Sequence, residues 1–285
     1  MNGLKECLFY EKKAQGKVRC VLCPQYCLIE DGQVGFCNVR QNEKGILYSK
    51  NYGVISAYAM DPIEKKPLSR FYPGSKILSI GSFGCNLKCF FCQNHGISQE
   101  SKEGIKTTPQ NIVDIASNES ENIGIAFTYN EPTVWYEFVV ETAKLNKEKG
   151  KKNVLVTNGY INEEPLERLL PYIDAMNIDL KGIDDNYYAN VCKGKIDPVL
   201  RSIKNSISKC HVEITTLLVT KKIDNLKTVR SIAQWIGSID KSVPLHLSRY
   251  FPNYRYSEPP TDIAFMKAAK EEADKYLNHV YLGNI

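Results

Sequence analysis

The chain has 285 residues, with 37 Lys and Arg against 32 Asp and Glu, a formal charge of +5, and a hydrophobic content of 43% that is ordinary for a globular protein. No run approaches the roughly 18 consecutive apolar residues of a membrane helix, and the stretch from Met1 to Arg19 is charged throughout instead of carrying an apolar signal core. No basic block marks a nucleic-acid surface, so secreted, membrane-spanning and nucleic-acid-binding proteins are set aside and a cytoplasmic location is expected.

Residues 1–60 are rich in Cys, Gly and charge, with weak periodicity, and are read as a small lobe organised by something other than a hydrophobic core. Cys20, Cys23, Cys27 and Cys37 lie close together there, with Gly32 and Gly35 for tight turns. Four thiols so placed suit a tetrahedral zinc ion or an accessory iron–sulfur cluster, or stand as reduced thiols without metal. A reducing compartment is expected, in which thiolates are available as ligands. Cys7, Cys192 and Cys210 are read as structural. Residues 61–75, opening on Asp61-Pro62-Ile63-Glu64-Lys65-Lys66-Pro67-Leu68, are expected to form an extended surface linker.

From 76 to 285, short β-branched runs alternate with helical periodicity, the pattern of βα units in a parallel sheet or barrel. Strands are expected at 76–80, 123–128, 153–157, 175–180, 212–219, 244–248 and 280–282. Three helical stripes are expected to pack on the sheet: Trp135, Phe138, Val139 and Thr142; Leu226, Val229, Ala233 and Ile236; Met266, Ala269, Ala273 and Tyr276. Thr108 before Pro109 and Thr261 before Asp262 are expected to cap helices.

The sharpest motif follows the first of these strands: Gly81-Ser82-Phe83-Gly84-Cys85-Asn86-Leu87-Lys88-Cys89-Phe90-Phe91-Cys92-Gln93-Asn94. Glycines let the backbone turn at the strand's carboxyl end, and three thiols converge on one point. Three soft ligands leave one coordination position of a cluster or a tetrahedral ion open; zinc or unligated buried thiols are the plainer alternatives. Later strand ends carry Thr128-Tyr129-Asn130-Glu131-Pro132, Val156-Thr157-Asn158-Gly159, Asp179-Leu180-Lys181 and His246. A Lys there can hold a carboxylate and an Asp an ammonium group, which fits a zwitterionic ligand. Asn130 and Glu131 could equally cap the helix that starts at Pro132.

Three cysteines separated by three and two residues after the first barrel strand resemble the hallmark of the radical S-adenosylmethionine (SAM) enzymes. The resemblance implies an α/β fold, a partial (β/α)6 TIM-like barrel with the small amino-terminal cysteine-rich lobe appended. It implies that Cys85, Cys89 and Cys92 hold a [4Fe-4S] cluster whose fourth iron is chelated by SAM, that reduction cleaves SAM to a 5′-deoxyadenosyl radical, and that the radical abstracts hydrogen from a substrate. Phe91 is then the aromatic beside adenine. Thr128–Pro132 is similar to that family's Gly-Gly-Glu-Pro segment, with Tyr129 and Asn130 in place of both glycines, so Asn130 and Glu131 are expected at the SAM amino group. Thr157, Asn158, Asp179 and Lys181 resemble segments of pyruvate formate-lyase activating enzymes that lie beside the SAM ribose and methionine. The relatives have an Asp where this chain has Val156. His246 is expected to reach SAM or substrate.

Taken with Ser248-Arg249-Tyr250-Phe251-Pro252 and Val280-Tyr281-Leu282-Gly283-Asn284, these segments resemble the AmmeMemoRadiSam-system radical SAM enzymes. Members of that group commonly continue into a cysteine-containing tail, whereas this sequence ends at Ile285. The resemblance implies an electron donor such as flavodoxin or ferredoxin, a protein or peptide substrate, and Memo-family or AMME-type partners. Radical modification of a small molecule or RNA base, and a non-catalytic metal-binding scaffold, are the alternatives.

Overall fold

The computed structural model describes residues 4–100 and 104–285. An eight-stranded sheet forms its centre. β1 (Ala57–Pro62) pairs antiparallel with β2 (Lys76–Gly81), and from there β3 (Asn122–Phe127), β4 (Lys152–Thr157), β5 (Ala175–Asp179), β6 (His211–Leu218), β7 (Leu245–Arg249) and β8 (Val280–Gly283) add in chain order, all parallel. The helices α1 (Pro109–Asn118), α2 (Tyr136–Glu148), α3 (Glu163–Leu169), α4 (Asp197–Ile207), α5 (Leu226–Ile239) and α6 (Ile263–Asp274) return the chain between successive strands from β2 to β8. This is the expected partial barrel, left open between β1 and β8.

Alternation along the strands decides which face each residue serves. Leu78, Ile80, Ile125, Phe127, Ile178, Ile214 and Leu247 pack outward against Phe138 and Val139 of α2, Ile203 of α4, Ile232 of α5 and Met266 of α6. The predicted stripes therefore bury as expected, except that Leu226, at the first turn of α5, is 37% exposed. Thr108 caps α1, its hydroxyl accepting the Asn111 N–H. At α6 the cap is Asp262, which accepts the Phe265 N–H; the expected Thr261 is engaged instead with Leu218 O and the Tyr250 N–H.

The segment expected as an extended surface linker is different. Asp61 and Pro62 belong to β1, and the residues after it fold across the amino-terminal mouth of the barrel, burying Ile63, Leu68 and Phe71 against Ile77, Ala126, Val154 and Ala175. Its charges and prolines read as solvated, but they have partners inside. Lys66 pairs with Asp61 at 2.8 Å, and Asn177 donates to Pro67 O at 2.8 Å. Glu213, 0% exposed, accepts the N–H groups of Ser69 and Arg70 at 3.0 and 2.8 Å while His211 and His246 reach it at 2.9 and 2.6 Å. Burial alone would push this carboxyl up, yet the four donors outweigh it and hold it down to about 2.

The amino-terminal lobe consists of two three-stranded antiparallel sheets, one from Lys5–Glu6, Ile46–Ser49 and Arg40–Glu43, the other from Tyr10–Lys12, Val18–Cys20 and Leu28–Ile29. The expectation of a lobe without a core is corrected: Phe9, Val18, Leu22 and Leu47 are buried and continuous with the barrel's outer core. Arg40 fastens this contact. Its Nη1 and Nη2 donate to the two carboxylate oxygens of Glu137 on α2 at 2.9 Å each, with both side chains nearly inaccessible.

Breaking a buried ion pair strands the surviving charge, so Arg40→Met is expected to cost about 3–5 kcal/mol, and Arg40→Met/Glu137→Leu to recover most of it. Urea unfolding of both variants checks this; a single variant within 1 kcal/mol of the parent would remove the pair from its docking role. Glu213 has a depressed folded-state pKa, so its stabilisation is complete above the ordinary carboxylate range near pH 4–5 and is lost as pH falls towards 2. Glu213→Gln should therefore be less stable by about 2–4 kcal/mol at pH 7, with the gap closing between pH 5 and pH 2. A gap that stays constant over that range in denaturant titrations would contradict the assignment.

Candidate active site

The loop after β2 can turn as it does because of two glycines. A Cβ on Gly81 would stand 2.5 Å from Thr128 O, and Gly84, at φ +91°, would put one 2.6 Å from Val39 Cγ1 and 2.8 Å from Cys37 O. The loop so turned carries Cys85, Cys89 and Cys92 to the carboxyl ends of the strands, where all three line one cavity of about 730 Å³. Main-chain and side-chain donors face the sulfurs. Cys85 Sγ accepts the Leu87 N–H at 3.4 Å and lies 3.6 Å from Asn158 Nδ2; Cys92 Sγ lies 3.1 Å from Ser98 Oγ. Burial pushes the Cys85 and Cys92 thiols up, and a hydrogen bond with Cys192 does the same for Cys89. These thiols become anionic ligands when a metal takes the place of their protons, and the N–H donors then support the charge.

Phe91, Asn130, Glu131, Thr157, Asn158, Asp179, Lys181 and His246 all line the same cavity. Strand ends bring them together, as a barrel of this kind places its site residues. Glu131 is 3% exposed and accepts from Thr157 Oγ1 at 2.7 Å, Asn158 N at 2.8 Å and Thr133 N at 2.9 Å. It is thus both the cap of the Pro132–Trp135 turn and a wall of the cavity; the two readings of this residue are not exclusive. Burial raises its carboxyl against the opposing pull of these donors, so a cationic group brought beside it is the missing compensation. Asp179 and Lys181 pair at 2.9 Å across the rim, offering one charge of each sign. His246 is pinned by Glu213 and lies over the Tyr281 ring, with ring centres 5.2 Å apart.

Asn130 differs from its expected role. Its side chain accepts the Ser82 N–H at 2.9 Å and donates to Gly84 O at 3.1 Å, so it ties the β3 loop to the cysteine loop. Tyr129 holds the left-handed backbone (φ +69°) that a glycine would adopt without strain, and its ring extends into the barrel. There its hydroxyl donates to Asp61 at 2.7 Å and Lys66 Nζ stands 4.7 Å from the ring centre. Burial would push the Asp61 carboxyl up, but Lys66 and Tyr129 outweigh it and hold it well below the usual range.

Sequence reasoning did not single out Asp61, Lys66, Glu213 or Cys192 as site residues. Glu213 sits in an alternating strand and could have been flagged as a charge on the inward-facing phase. Asp61 and Lys66 carried no such signal because the strand containing Asp61 was not anticipated. Cys192 ends the single-turn π-helix Tyr188–Cys192, whose register follows from folding and not from spacing. Cys20, Cys23, Cys27 and Cys37 do not join this site; they line a separate cavity in the lobe.

The donor set fits an iron–sulfur cluster that keeps one position open: three thiols at the head of a cavity large enough for a cofactor and more, facing a buried carboxylate and a rim ion pair. The comparisons agree. Residues 79–236 match the Radical SAM superfamily. An uncharacterized protein of Methanocaldococcus jannaschii is 42% identical over 99% of this chain and 86% of its own length. The pyruvate formate-lyase-activating enzyme of Clostridium pasteurianum is 26% identical over 69% of this chain and 88% of its own. Among solved structures, SuiB of Streptococcus suis bound to S-adenosylmethionine superposes with a TM-score of 0.58 at 14% identity, over 73% of this chain and 51% of that one, which speaks for the fold. The thiol triplet, the carboxylate opposite it and the extent of these matches make this chain an enzyme of the radical SAM superfamily, with the [4Fe-4S] cluster and SAM that the family implies.

Proposed function

We propose that this protein abstracts hydrogen from a protein or peptide, in the manner of the enzymes that activate glycyl-radical proteins. The observation that carries the reading is the placement of Cys85, Cys89 and Cys92 on one cavity of about 730 Å³ at the carboxyl ends of the strands, larger than the cluster and SAM alone need. Similarity to a pyruvate formate-lyase-activating enzyme over two thirds of the chain supports it. The resemblance to the AmmeMemoRadiSam group further proposes Memo-family or AMME-type partners, and a flavodoxin or ferredoxin as the source of one electron.

Within this reading Cys85, Cys89 and Cys92 would hold the cluster, which would supply the one-electron reduction of SAM that leads, with a hydrogen atom from the substrate, to 5′-deoxyadenosine and methionine. The remaining work belongs to the chain. Glu131 would hold the SAM ammonium group, and Lys181 the carboxylate, while Phe91 covers adenine. Asn158 donates towards Cys85 and thereby joins the SAM side of the cavity to the cluster loop. The barrel walls and the closed amino-terminal mouth keep water from the carbon-centred radical.

Replacing Cys85, Cys89 and Cys92 by Ala should reduce 5′-deoxyadenosine, measured chromatographically after anaerobic reconstitution with iron, sulfide, dithionite and SAM, to background. Product from the triple variant would sink the assignment. Glu131→Gln should raise the KM for SAM by about tenfold or more, the loss of one charge-assisted contact. Candidate peptides deuterated at the reacting carbon should transfer deuterium into 5′-deoxyadenosine; transfer from small molecules alone would move the substrate class.

A further inference from the structure

We propose that Cys20, Cys23, Cys27 and Cys37 form a second site, holding a single divalent metal ion of the zinc class between four thiolates. The proposal stands apart from the radical chemistry and rests on the lobe alone.

All four cysteines are free, and all four line one small cavity of about 10 Å³ whose wall also includes Arg40 and Asn86. That is room for one atom of about the size of a water, whereas the barrel cysteines face about 730 Å³. A space this small suits a single ion better than a four-iron core. The spacing, two residues and then three between the first three ligands, lies within the range used by tetrahedral thiolate sites.

The backbone is arranged for sulfur anions. Cys27 Sγ accepts the N–H of Phe36 at 3.4 Å, and the main-chain N–H groups of Leu22 and Gln25 lie on the side of Cys20 and Cys23 where they would stabilise an anion. The same i+2 offset occurs at the cluster loop, where Cys85 Sγ accepts the N–H of Leu87 at 3.4 Å. A neutral thiol is a weak acceptor, and chain geometry that supplies a donor to one sulfur after another suits a bound metal. Arg40 adds a second sign. It is 1% exposed; both terminal nitrogens are satisfied by Glu137, its Nε–H makes no hydrogen bond of good geometry among the described residues, and the Cys7 and Cys20 sulfurs both stand beside the guanidinium. Of these two, Cys20 belongs to the cavity, and its thiolate would be stabilised by the buried guanidinium.

Among the described residues, no three His, Cys, Asp or Glu side chains already stand at metal-ligand spacing, the three barrel cysteines included. In both groups the thiols border the space that they would turn into. The lobe site lies directly behind the cluster loop. Gln25 Nε2 donates to Asn86 O at 3.0 Å and to Lys193 O at 2.8 Å, and Lys88 Nζ stands 5.2 Å from the Phe36 ring centre. An ion there fixes the wall against which the loop turns.

Metal and sulfide counts on the full chain test this. Protein produced with zinc supplied and reconstituted anaerobically should carry about four irons and four sulfides, plus roughly one zinc without sulfide. C20S/C23S should lose the zinc and keep the iron; C7S, which alters a buried thiol of the same lobe outside the cavity, should keep both. C85A/C89A/C92A should lose the iron and keep the zinc, so a failure of the radical SAM reading and a failure of this one are told apart. About eight sulfides, no further metal in the parent, or zinc retained by C20S/C23S would overturn the proposal. Should C20S/C23S not fold, alkylation of the native parent decides: the four lobe thiols should resist iodoacetamide until a chelator is added, and labelling of all four in zinc-replete protein would overturn it.

Discussion

A barrel interior made of Ser79, Asn177, Glu213, Thr215 and His246 is an expensive thing to bury, and Glu213 is the group on which its order depends. One carboxylate collects two main-chain N–H groups from the segment that closes the amino-terminal mouth and one imidazole each from β6 and β7. Without it, a loop and two strands would lose their common anchor. With it, the lower barrel is a rigid plug, His246 is fixed in orientation beneath the cavity, and the strand ends above can be positioned for chemistry. Stability at the bottom and reactivity at the top are thus divided along each strand, as in complete barrels.

The upper half depends on loops that hold one another. The cysteine loop is braced from one side by Asn130 and from the other by the lobe, through Gln25 and the close packing of Gly84 on Val39. The lobe in turn is fastened to α2 by Arg40 and Glu137. The amino-terminal residues are therefore part of the site's support, and the cluster loop is a middle layer between lobe and barrel.

Much of this was legible in the sequence for plain physical reasons. β-branched runs bounded by turn residues gave the seven parallel strands, because a strand buried on both faces has no need of polar alternation. The thiol triplet and the four strand-end segments reached one cavity because parallel strands deliver consecutive loops to one end. What escaped was tertiary. β1 is antiparallel and edge-placed, and its sequence, Ala57-Tyr58-Ala59-Met60-Asp61-Pro62, has no β-branched residue and lacks the strong signal of its neighbours. The 63–75 segment reads as solvent-exposed from its prolines and lysines, and only the folded barrel supplies Asp61 and Glu213 as partners. Thr261 looked like a cap from composition, but its hydroxyl is claimed by Leu218 and Tyr250, leaving Asp262 to do the capping. Asn130 lines the cavity, and its side chain also ties Ser82 to Gly84, a bracing contact that only the fold discloses.

Tyr129 carries one further consequence. Its ring and hydroxyl, with Lys66 and Asp61, give the cavity an ionic deep end instead of an oily one. The ammonium, the carboxylate and the phenol already satisfy one another, so that end of the barrel is closed by the chain's own polar groups, and the residue that takes a glycine's place in the loop is also the one that seals it.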